Sequence, residues 1–366
     1  MNIKAVEMNL GFIIAVQIIF SSFFLSLASC STTTSKIPIT GQTNCYSGSK
    51  QIICPQIGEP FYGQDAQYSL NQLSYTKLDA SGIALPDSSS TWTMVRDNIT
   101  GLIWENKTHD NNIKYTWFGP DFSTNRGNAG KEGNGTDTKD FIDALNSTNF
   151  GGYNDWRLPT AKELQTIVNY NRHSPSINDD YFPYTESSAY WSSTTGEESP
   201  NEAVCVYFNT GLVYFGCNKN IAHYARAVRG KQSGAFDDLL IEERMVDNGD
   251  GTVTDKKTGL IWQKQNDDIH HSWESALNYC ENLVLANESD WRLPNVKELE
   301  SIADLSKSKP AINPVFPKTF PSWYWSSTTV TLFPNRAWSV NFRFGSVSSS
   351  DSKTSTYYVR AVRSGQ

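Results

Sequence analysis

Two near-identical stretches of ten residues, DWRLPTAKEL at residues 155–164 and DWRLPNVKEL at residues 290–299, decide how this chain folds. Each has a capping side chain three residues ahead of a glutamate, namely Thr160 and Glu163, and Asn295 and Glu298. This spacing is typical of a helix N-cap that accepts a backbone hydrogen bond while the glutamate reaches back. The proline before each cap disfavours helix for the leucine that precedes it. Each stretch therefore predicts an abrupt entry into a helix.

Both stretches also place an aspartate and an arginine on either side of a tryptophan, giving a signature of Asp155, Trp156 and Arg157, and of Asp290, Trp291 and Arg292. We expect each Asp–Arg pair to form an ion pair packed over the indole. A catalytic interpretation would require a nucleophile or a histidine beside these carboxylates, and neither stretch supplies one. Polar groups that are buried where the chain turns into a helix need hydrogen-bond partners whether or not the site is catalytic. A structural role is therefore favoured over an active site.

Other motifs recur along the chain: TGLIW at residues 100–104 and 258–262, YWSSTT at 190–195 and 324–329, and RAVR at 226–229 and 360–363. The first copy carries an insertion near residues 119–140 that is rich in Gly, Asn and Asp, as surface loops are. Each copy has the length of a domain. We therefore expect two tandem domains, at residues 92–230 and 240–366, with a linker at residues 231–239.

Four tryptophans recur in both copies, as the pairs Trp104 and Trp262, Trp117 and Trp273, Trp156 and Trp291, and Trp191 and Trp325. Recurrence within one chain favours core packing over a ligand-binding surface. Trp92, Trp323 and Trp338 have no counterpart and are the better candidates for exposed contacts. Ordinary packing is the alternative for these three, because tryptophan is highly buried on average.

Residues 1–29 contain an apolar stretch that ends in small residues, which is typical of an export signal and not of a membrane-spanning helix. The ending Leu-Ala-Ser-Cys resembles the bacterial lipobox, so we expect Cys30 to be lipid-modified. An ordinary cleaved signal with an incidental cysteine is the alternative. In the leading segment 30–91, the Ser/Thr-rich residues 31–43 predict a flexible tether. These features predict a protein anchored by lipid to the bacterial cell envelope, and Ser31 favours the outer membrane, facing the periplasm or the surface.

Export also changes the interpretation of the six cysteines, because disulfides persist in an oxidising compartment. Cys45 and Cys54 flank a short polar loop and are expected to close it. Cys205 and Cys217 lie symmetrically about Gly211, so a hairpin centred there would place them opposite each other. Cys280 then has no partner. Its apolar neighbours predict an amphipathic helix, and we interpret it as a buried, inert thiol.

The composition argues against several classes of function. The formal net charge is −7 and neither copy is basic, which argues against nucleic acid as a partner. Residues 247–255, DNGDGTVTD, lack the ligand spacing of an EF-hand and favour a tight turn over a calcium site. The five histidines do not recur between the copies, and no phosphate-binding loop or nucleophile elbow is present. We expect no metal, no cofactor and no catalytic residue, so the protein is predicted not to be an enzyme.

The string of TGLIW, DWRLP followed three residues later by EL, YWSST and RAVR resembles the Lcl C-terminal domain family, from about residue 92 to residue 363, twice over. The resemblance implies an α+β fold of the C-type-lectin-like kind in each copy, with short antiparallel strands, one or two helices and long loops. It also implies an envelope or surface setting and, by analogy with the adhesin that gives the family its name, glycosaminoglycan binding. Family members often carry a cysteine in the final strand, where this chain has Ala227 and Ala361, which would leave Cys280 single.

A sulfated glycan would need a local basic patch with aromatic side chains, and the second copy offers Lys318, Trp323, Phe333, Arg336, Trp338 and Arg343. Arginine beside tryptophan suits an anionic sugar through charge-assisted hydrogen bonds and ring contact. A solvated face with scattered charges is the alternative for these residues. For the whole protein, we expect recognition of a glycan without catalysis. A structural envelope module with a protein partner is the main alternative, and an enzyme on a lectin-like scaffold is a further one.

Overall fold

The computed structural model describes residues 37–68, 71–108, 112–118, 133–195, 201–230 and 244–365. The predicted signal peptide, Cys30, the linker 231–239 and most of the predicted surface loop lie outside the described residues. Among the residues that are described, no helix has the length and apolar character needed to cross a membrane.

The fold is α+β, with small antiparallel sheets and short helices. A hairpin of β1 (Cys45–Ser47) and β2 (Lys50–Ile52) precedes the first copy. The first copy contains β3 (Tyr75–Leu78), β4 (Met94–Asp97), β5 (Ile103–Glu105), β6 (Lys114–Tyr115), β7 (Ala189–Thr195), β8 (Glu202–Tyr207), β9 (Leu212–Asn218), β10 (His223–Tyr224) and β11 (Val228–Arg229). Its helices are α1 (Thr138–Ser147) and α2 (Ala161–Thr166). The strands form one sheet in the order β11-β5-β4-β3 and another in the order β6-β10-β7-β8-β9.

The second copy repeats this plan with β12 (Met245–Asp247), β13 (Thr252–Asp255), β14 (Leu260–Gln263), β15 (Trp323–Thr329), β16 (Arg336–Asn341), β17 (Ser346–Ser352) and β18 (Val362–Ser364). Its helices are α3 (Trp273–Glu281) and α4 (Val296–Ser301). The sheet orders are β12-β13-β14-β18 and β15-β16-β17. Strand β3 lies within residues 30–91, ahead of the predicted start of the first domain, and pairs with β4 as β12 pairs with β13.

The capping boxes predicted from the repeated decamers are confirmed. Thr160 and Asn295 each accept a hydrogen bond from the N3 backbone, and Glu163 and Glu298 return one to the cap. The predicted Asp–Arg ion pairs are wrong, because each arginine instead pairs with the capping glutamate, Arg157 with Glu163 and Arg292 with Glu298, both at 2.6 Å. The N3 glutamate already lies at the corner, so its carboxylate is the nearer partner.

The aspartates of the decamers reach the last strand of each copy. Asp155 binds Arg229 at 2.7 Å, and Asp290 binds Arg363 at 2.5 Å. The indoles lie elsewhere, with the Nε1 of Trp156 donating to the Phe150 carbonyl at 2.9 Å. The signature thus closes a corner between the helix entry and the final strand, in the same way in both copies.

The disulfide predictions agree with the structure, which contains Cys45–Cys54 and Cys205–Cys217. The cysteines of the second bridge are not directly opposite, because the ladder between β8 and β9 shifts register between Ala203 and Cys205. Cys280 lies free and buried in α3, where burial raises the pKa of its thiol. It packs in one hydrophobic cluster with Ala361.

All eight recurring tryptophans are buried, which confirms that recurrence marks core packing. Trp338 is buried too, at 1% exposure, so its assignment to an exposed contact is wrong. It occupies the strand position that Val204 fills in the first copy, and both side chains belong to the largest hydrophobic cluster. Trp338 meets Tyr170 of the first copy edge-on, with ring centroids 4.9 Å apart. The two copies therefore share a core.

Candidate functional site

The lysine of each decamer reaches across to the opposite copy. The Nζ of Lys162 donates hydrogen bonds to the carbonyl oxygens of Ser301 at 3.1 Å and Ala303 at 2.6 Å. The Nζ of Lys297 donates to the carbonyl oxygen of Thr166 at 3.0 Å. Thr166 and Ser301 end helices α2 and α4, so each ammonium group lies where a helix favours positive charge. The decamers thus build the junction between the copies as well as their own corners.

Burial controls the ionisation of this junction. Desolvation lowers the pKa of Lys297 to about 7, against the opposing attraction of Asp97 and Asp65. Desolvation also raises the pKa of Glu300 to about 7, with Lys162 opposing the shift. The charged forms of both groups are disfavoured because little water reaches the shared core.

Residues 37–68, which we call the strap, join the second copy although they precede the first. The Oδ2 of Asp65 accepts hydrogen bonds from Thr328 at 2.6 Å and from Thr40 at 2.7 Å. The hydroxyl of Tyr68 donates to Glu281 at 2.6 Å, and its ring lies 5.0 Å from the guanidinium of Arg292. Residues 37–43 were predicted to be flexible, but Pro38, Thr40 and Gln42 are buried there. The prediction of flexibility from the Ser/Thr-rich composition was wrong because threonine hydroxyls of these residues have hydrogen-bond partners within the fold.

One end of the second copy carries clustered aromatic rings that we call the aromatic shelf, namely His270, Phe320, Trp323, Tyr357 and Tyr358. Phe320 stacks on Tyr358 with centroids 4.7 Å apart, and His270 meets the same ring edge-on at 4.2 Å. Phe320 is 37% exposed, His270 is exposed, and Trp323 is half-buried. Lys318 and Asp268 lie 3.8 Å apart, with roughly half of each side chain exposed (59% and 47%). Unlike the core tryptophans, these rings reach solvent.

The first copy has no such shelf among its described residues. The motif alignment places Lys114 opposite His270, Glu186 opposite Phe320 and Ala189 opposite Trp323. Tyr224 stands opposite Tyr358 and His223 opposite Tyr357, and the Nζ of Lys114 lies 5.1 Å from the ring of Tyr224. The same scaffold therefore presents fewer rings in the first copy, where charged and small residues replace three of the five.

The predicted ligand residues do not form one patch. Arg336 begins β16 and lies 4.8 Å from the ring of Phe333, whereas Arg343 follows the other end of the strand and lies 5.1 Å from Phe344. Seven residues of extended chain separate the two arginines by roughly 20 Å. Trp338 is buried between them, and Lys318 and Trp323 belong to the end that holds the aromatic shelf. The proposed basic patch is thus divided, and only its Lys318 and Trp323 end has clustered rings.

Residues 247–255 contain the predicted turn, which joins β12 to β13 in a hairpin. Their carboxylates have protein partners: Asp247 binds Lys264, Asp250 accepts from Thr252, and Asp255 pairs with Arg244. Among the described residues, the one group of metal-ligand side chains within reach of a common ion is Cys205, Cys217 and His223. The two sulfurs are bonded to each other, so this group is a disulfide beside a histidine.

Sequence reasoning missed the contacts of Lys162 and Lys297, although the signal was visible. A lysine at the same place in two otherwise structural motifs is an unexpected residue to repeat, since lysine is almost never fully buried without a partner. The aromatic shelf was missed except for Lys318 and Trp323, because its rings come from three separate segments and only folding brings them together.

The sequence profile described as the Lcl C-terminal domain matches residues 93–229 and again residues 251–363. No curated protein matches the chain. The two matched segments cover more than half of the sequence and coincide with the two copies seen in the structure. The chain belongs to the Lcl C-terminal domain family and contains that domain twice.

Proposed function

We propose that this is a lipid-anchored, non-catalytic recognition protein of the bacterial cell envelope that binds glycan chains on the aromatic shelf of its second copy. The lipobox-like sequence supports anchoring through Cys30, and Ser31 supports an outer-membrane location. Each copy would be a C-type-lectin-like domain, as the family resemblance implies. The observation that carries the proposal is the shelf itself.

Sugar rings have apolar faces and polar edges, and aromatic side chains with nearby polar groups suit both. Phe320 and Trp323 offer ring surface, and the hydroxyls, imidazole, Lys318 and Asp268 around them offer hydrogen-bond donors and acceptors. A flat aromatic surface reaching solvent is uncommon without a binding role. Because Arg336 and Arg343 lie apart, ring contact rather than charge would supply most of the affinity, and moderate salt would weaken binding only slightly.

The experiment is retention of soluble protein, residues 31–366, on a glycan array at two salt concentrations, with and without chelator. The wild type should retain a defined set of glycans in both salts and regardless of chelator. Phe320→Ala and Trp323→Ala should each reduce retention about tenfold or more, as loss of an aromatic anchor does in protein interfaces. Steep salt sensitivity would contradict the expectation that ring contact supplies most of the affinity, and would indicate a sulfated ligand.

Arg336→Ala is the matched control, since it changes the same sheet at the opposite end and should leave retention unchanged. Thermal unfolding of each variant shows whether it is folded. An array without any retained glycan, or retention that survives Phe320→Ala and Trp323→Ala but falls with Arg336→Ala, would contradict the proposal.

A further inference from the structure

A cavity of about 190 Å³ opens at the junction of the copies, lined by Lys162 and Thr160 from one copy and by Met245, Asp304, Leu305 and Ser306 from the other. Ser301, Ile302 and Ala303 complete one wall. The cavity lies outside the aromatic shelf. Its lining combines apolar side chains with the charged groups of Lys162, Arg244 and Asp304.

The pseudo-symmetric counterpart of this cavity is already filled by the chain itself. The motif alignment places Lys297 opposite Lys162, Asn169 opposite Asp304, Tyr170 opposite Leu305 and Asn171 opposite Ser306. Residues 37–43 of the strap contact all four of these counterparts. The filled groove therefore shows what kind of occupant this architecture accepts.

Residues 37–43 are held through backbone and side-chain atoms together, and the side-chain amide of Gln42 exchanges hydrogen bonds with the backbone of Thr329. The carbonyl oxygen of Ile39 accepts from the Nζ of Lys297 at 3.1 Å, and that of Thr40 accepts from the backbone N–H of Tyr170 at 2.7 Å. A Cβ on Gly41 would lie 2.4 Å from the Oδ1 of Asn169, so the backbone approaches the wall closely. Thr43 Oγ1 accepts from the Nδ2 of Asn171 at 3.3 Å.

We propose that the open cavity binds an extended peptide segment of a partner protein, as the equivalent groove binds residues 37–43. The ammonium group of Lys162 has three N–H donors, and two of them donate to the carbonyls of Ser301 and Ala303. The third can donate to a peptide carbonyl, as Lys297 donates to that of Ile39. This proposal does not depend on glycan binding by the aromatic shelf.

The lining residues indicate which peptides fit. Leu305 replaces the larger Tyr170 of the filled groove, so the cavity accepts a bulkier apolar side chain than residues 37–43 present. Asp304 replaces Asn169, and its carboxylate already pairs with Lys307 at 2.8 Å and accepts from the Oγ of Ser306 at 2.6 Å, so no peptide donor is required at this point. The preferred segment is thus extended, with a small residue at the close approach and an apolar residue beside it.

The test uses soluble residues 31–366 and a fluorescent peptide of sequence IPITGQT, together with an array in which each of its seven positions is varied. Saturable binding should appear, strongest for peptides with a larger apolar residue. Leu305→Trp and Ser306→Phe each fill the cavity and should abolish binding. Lys162→Met should weaken it about tenfold, the loss expected for one charge-assisted hydrogen bond.

Phe320→Ala in the aromatic shelf is the control and should leave peptide binding unchanged, while Leu305→Trp should leave glycan retention unchanged. Unfolding curves confirm that each variant is folded. Two results would overturn the proposal: no peptide on the array binds the wild type, or binding persists in both cavity-filling variants.

Discussion

The two copies use the same residues at equivalent positions but give them different surroundings. Arg157 and Arg292 both pair with a capping glutamate at 2.6 Å, yet the side chain of Arg157 is 40% exposed and that of Arg292 only 6%. The difference comes from the strap, which covers the corner of the second copy through Asp65 and Tyr68. The same ion pair therefore contributes unequally to the stability of the two copies, although the motif that contains it is nearly identical in both.

The largest effect expected is that of Arg292→Met. Removing one partner of a buried ion pair leaves Glu298 buried and unpaired, which costs about 3–5 kcal/mol in free energy of unfolding. Arg157→Met removes the matching pair where solvent screens it, and should cost about 1 kcal/mol. Denaturant unfolding of both variants measures the contrast. Equal losses would show that the strap does not bury the second corner.

The copies also differ in how they close the β8–β9 and β16–β17 hairpins. Ser339 and Asp351 stand where the first copy has Cys205 and Cys217, and the Oγ of Ser339 donates to the Oδ2 of Asp351 at 2.5 Å. A disulfide closing a loop of this length contributes about 2–4 kcal/mol. The double variant Cys205→Ala and Cys217→Ala should lose that amount.

Ser339→Ala should lose only about 1 kcal/mol, the usual net contribution of one hydrogen bond. Asp351 keeps a second donor in the hydroxyl of Tyr357, at 2.7 Å. If Ser339→Ala lost more stability than the double cysteine variant, the hydrogen bond would stabilise its hairpin more than the disulfide stabilises the other.

The junction lysines predict a pH dependence. Burial lowers the pKa of Lys297 from 10.5 to about 7 in the folded protein. Between pH 7 and 10.5 the unfolded chain therefore binds more protons than the folded chain, so the free energy of unfolding rises with pH across this window. The slope from one proton is at most about 1.4 kcal/mol per pH unit.

Lys297→Met removes this contribution, so its stability should rise less steeply than that of the wild type above pH 7. Burial also lowers the pKa of Lys353 to about 7, which adds a slope in the same window. The readout is thus the difference between wild type and variant, measured by denaturant unfolding at several pH values. Parallel curves would mean that Lys297 keeps an ordinary pKa.

An effect smaller than that of Arg292→Met is expected for Gly41→Ala in the strap. Gly41 has a φ of +88°, and a Cβ there would meet Asn169. Gly48→Ala is the matched control, because its φ is also positive at +56° but nothing lies within 4 Å of the added Cβ. The backbone strain costs about 1 kcal/mol in both variants, and the contact with Asn169 adds to it in one, so thermal unfolding should show the larger loss for Gly41→Ala. Equal losses would indicate that residues 37–43 do not press against this wall.

Local features of the fold could be predicted from the sequence, and long-range contacts could not. The capping boxes depend on residues three apart in the chain, and the disulfides depend on how two cysteines are spaced around a short turn. Both could therefore be predicted from the sequence. The pairing of Arg292 with Glu298 rather than Asp290 depends on the direction in which the chain leaves the corner. Trp338 was misassigned because the absence of a repeated tryptophan says nothing about burial, and its counterpart Val204 is itself in the core.

The candidate site residues also divide into those that the local sequence predicts and those that depend on long-range contacts. Lys318 and Trp323 were identified from composition, but the aromatic shelf requires three distant segments of the chain to meet, as His270 and Phe320 do on the ring of Tyr358. The strap was invisible for a related reason. Its partners lie far along the chain in both copies, and no periodicity in residues 37–43 indicates which surface they cover.

The central claim is that the repeated decamers join the two copies into one folding unit with a shared core. Differential scanning calorimetry of residues 31–366 tests it most directly. We predict one transition whose calorimetric and van't Hoff enthalpies agree, and a split into two when Lys162→Met and Lys297→Met are combined. Two separate transitions in the wild type would contradict the account, because each copy would then unfold with a core of its own.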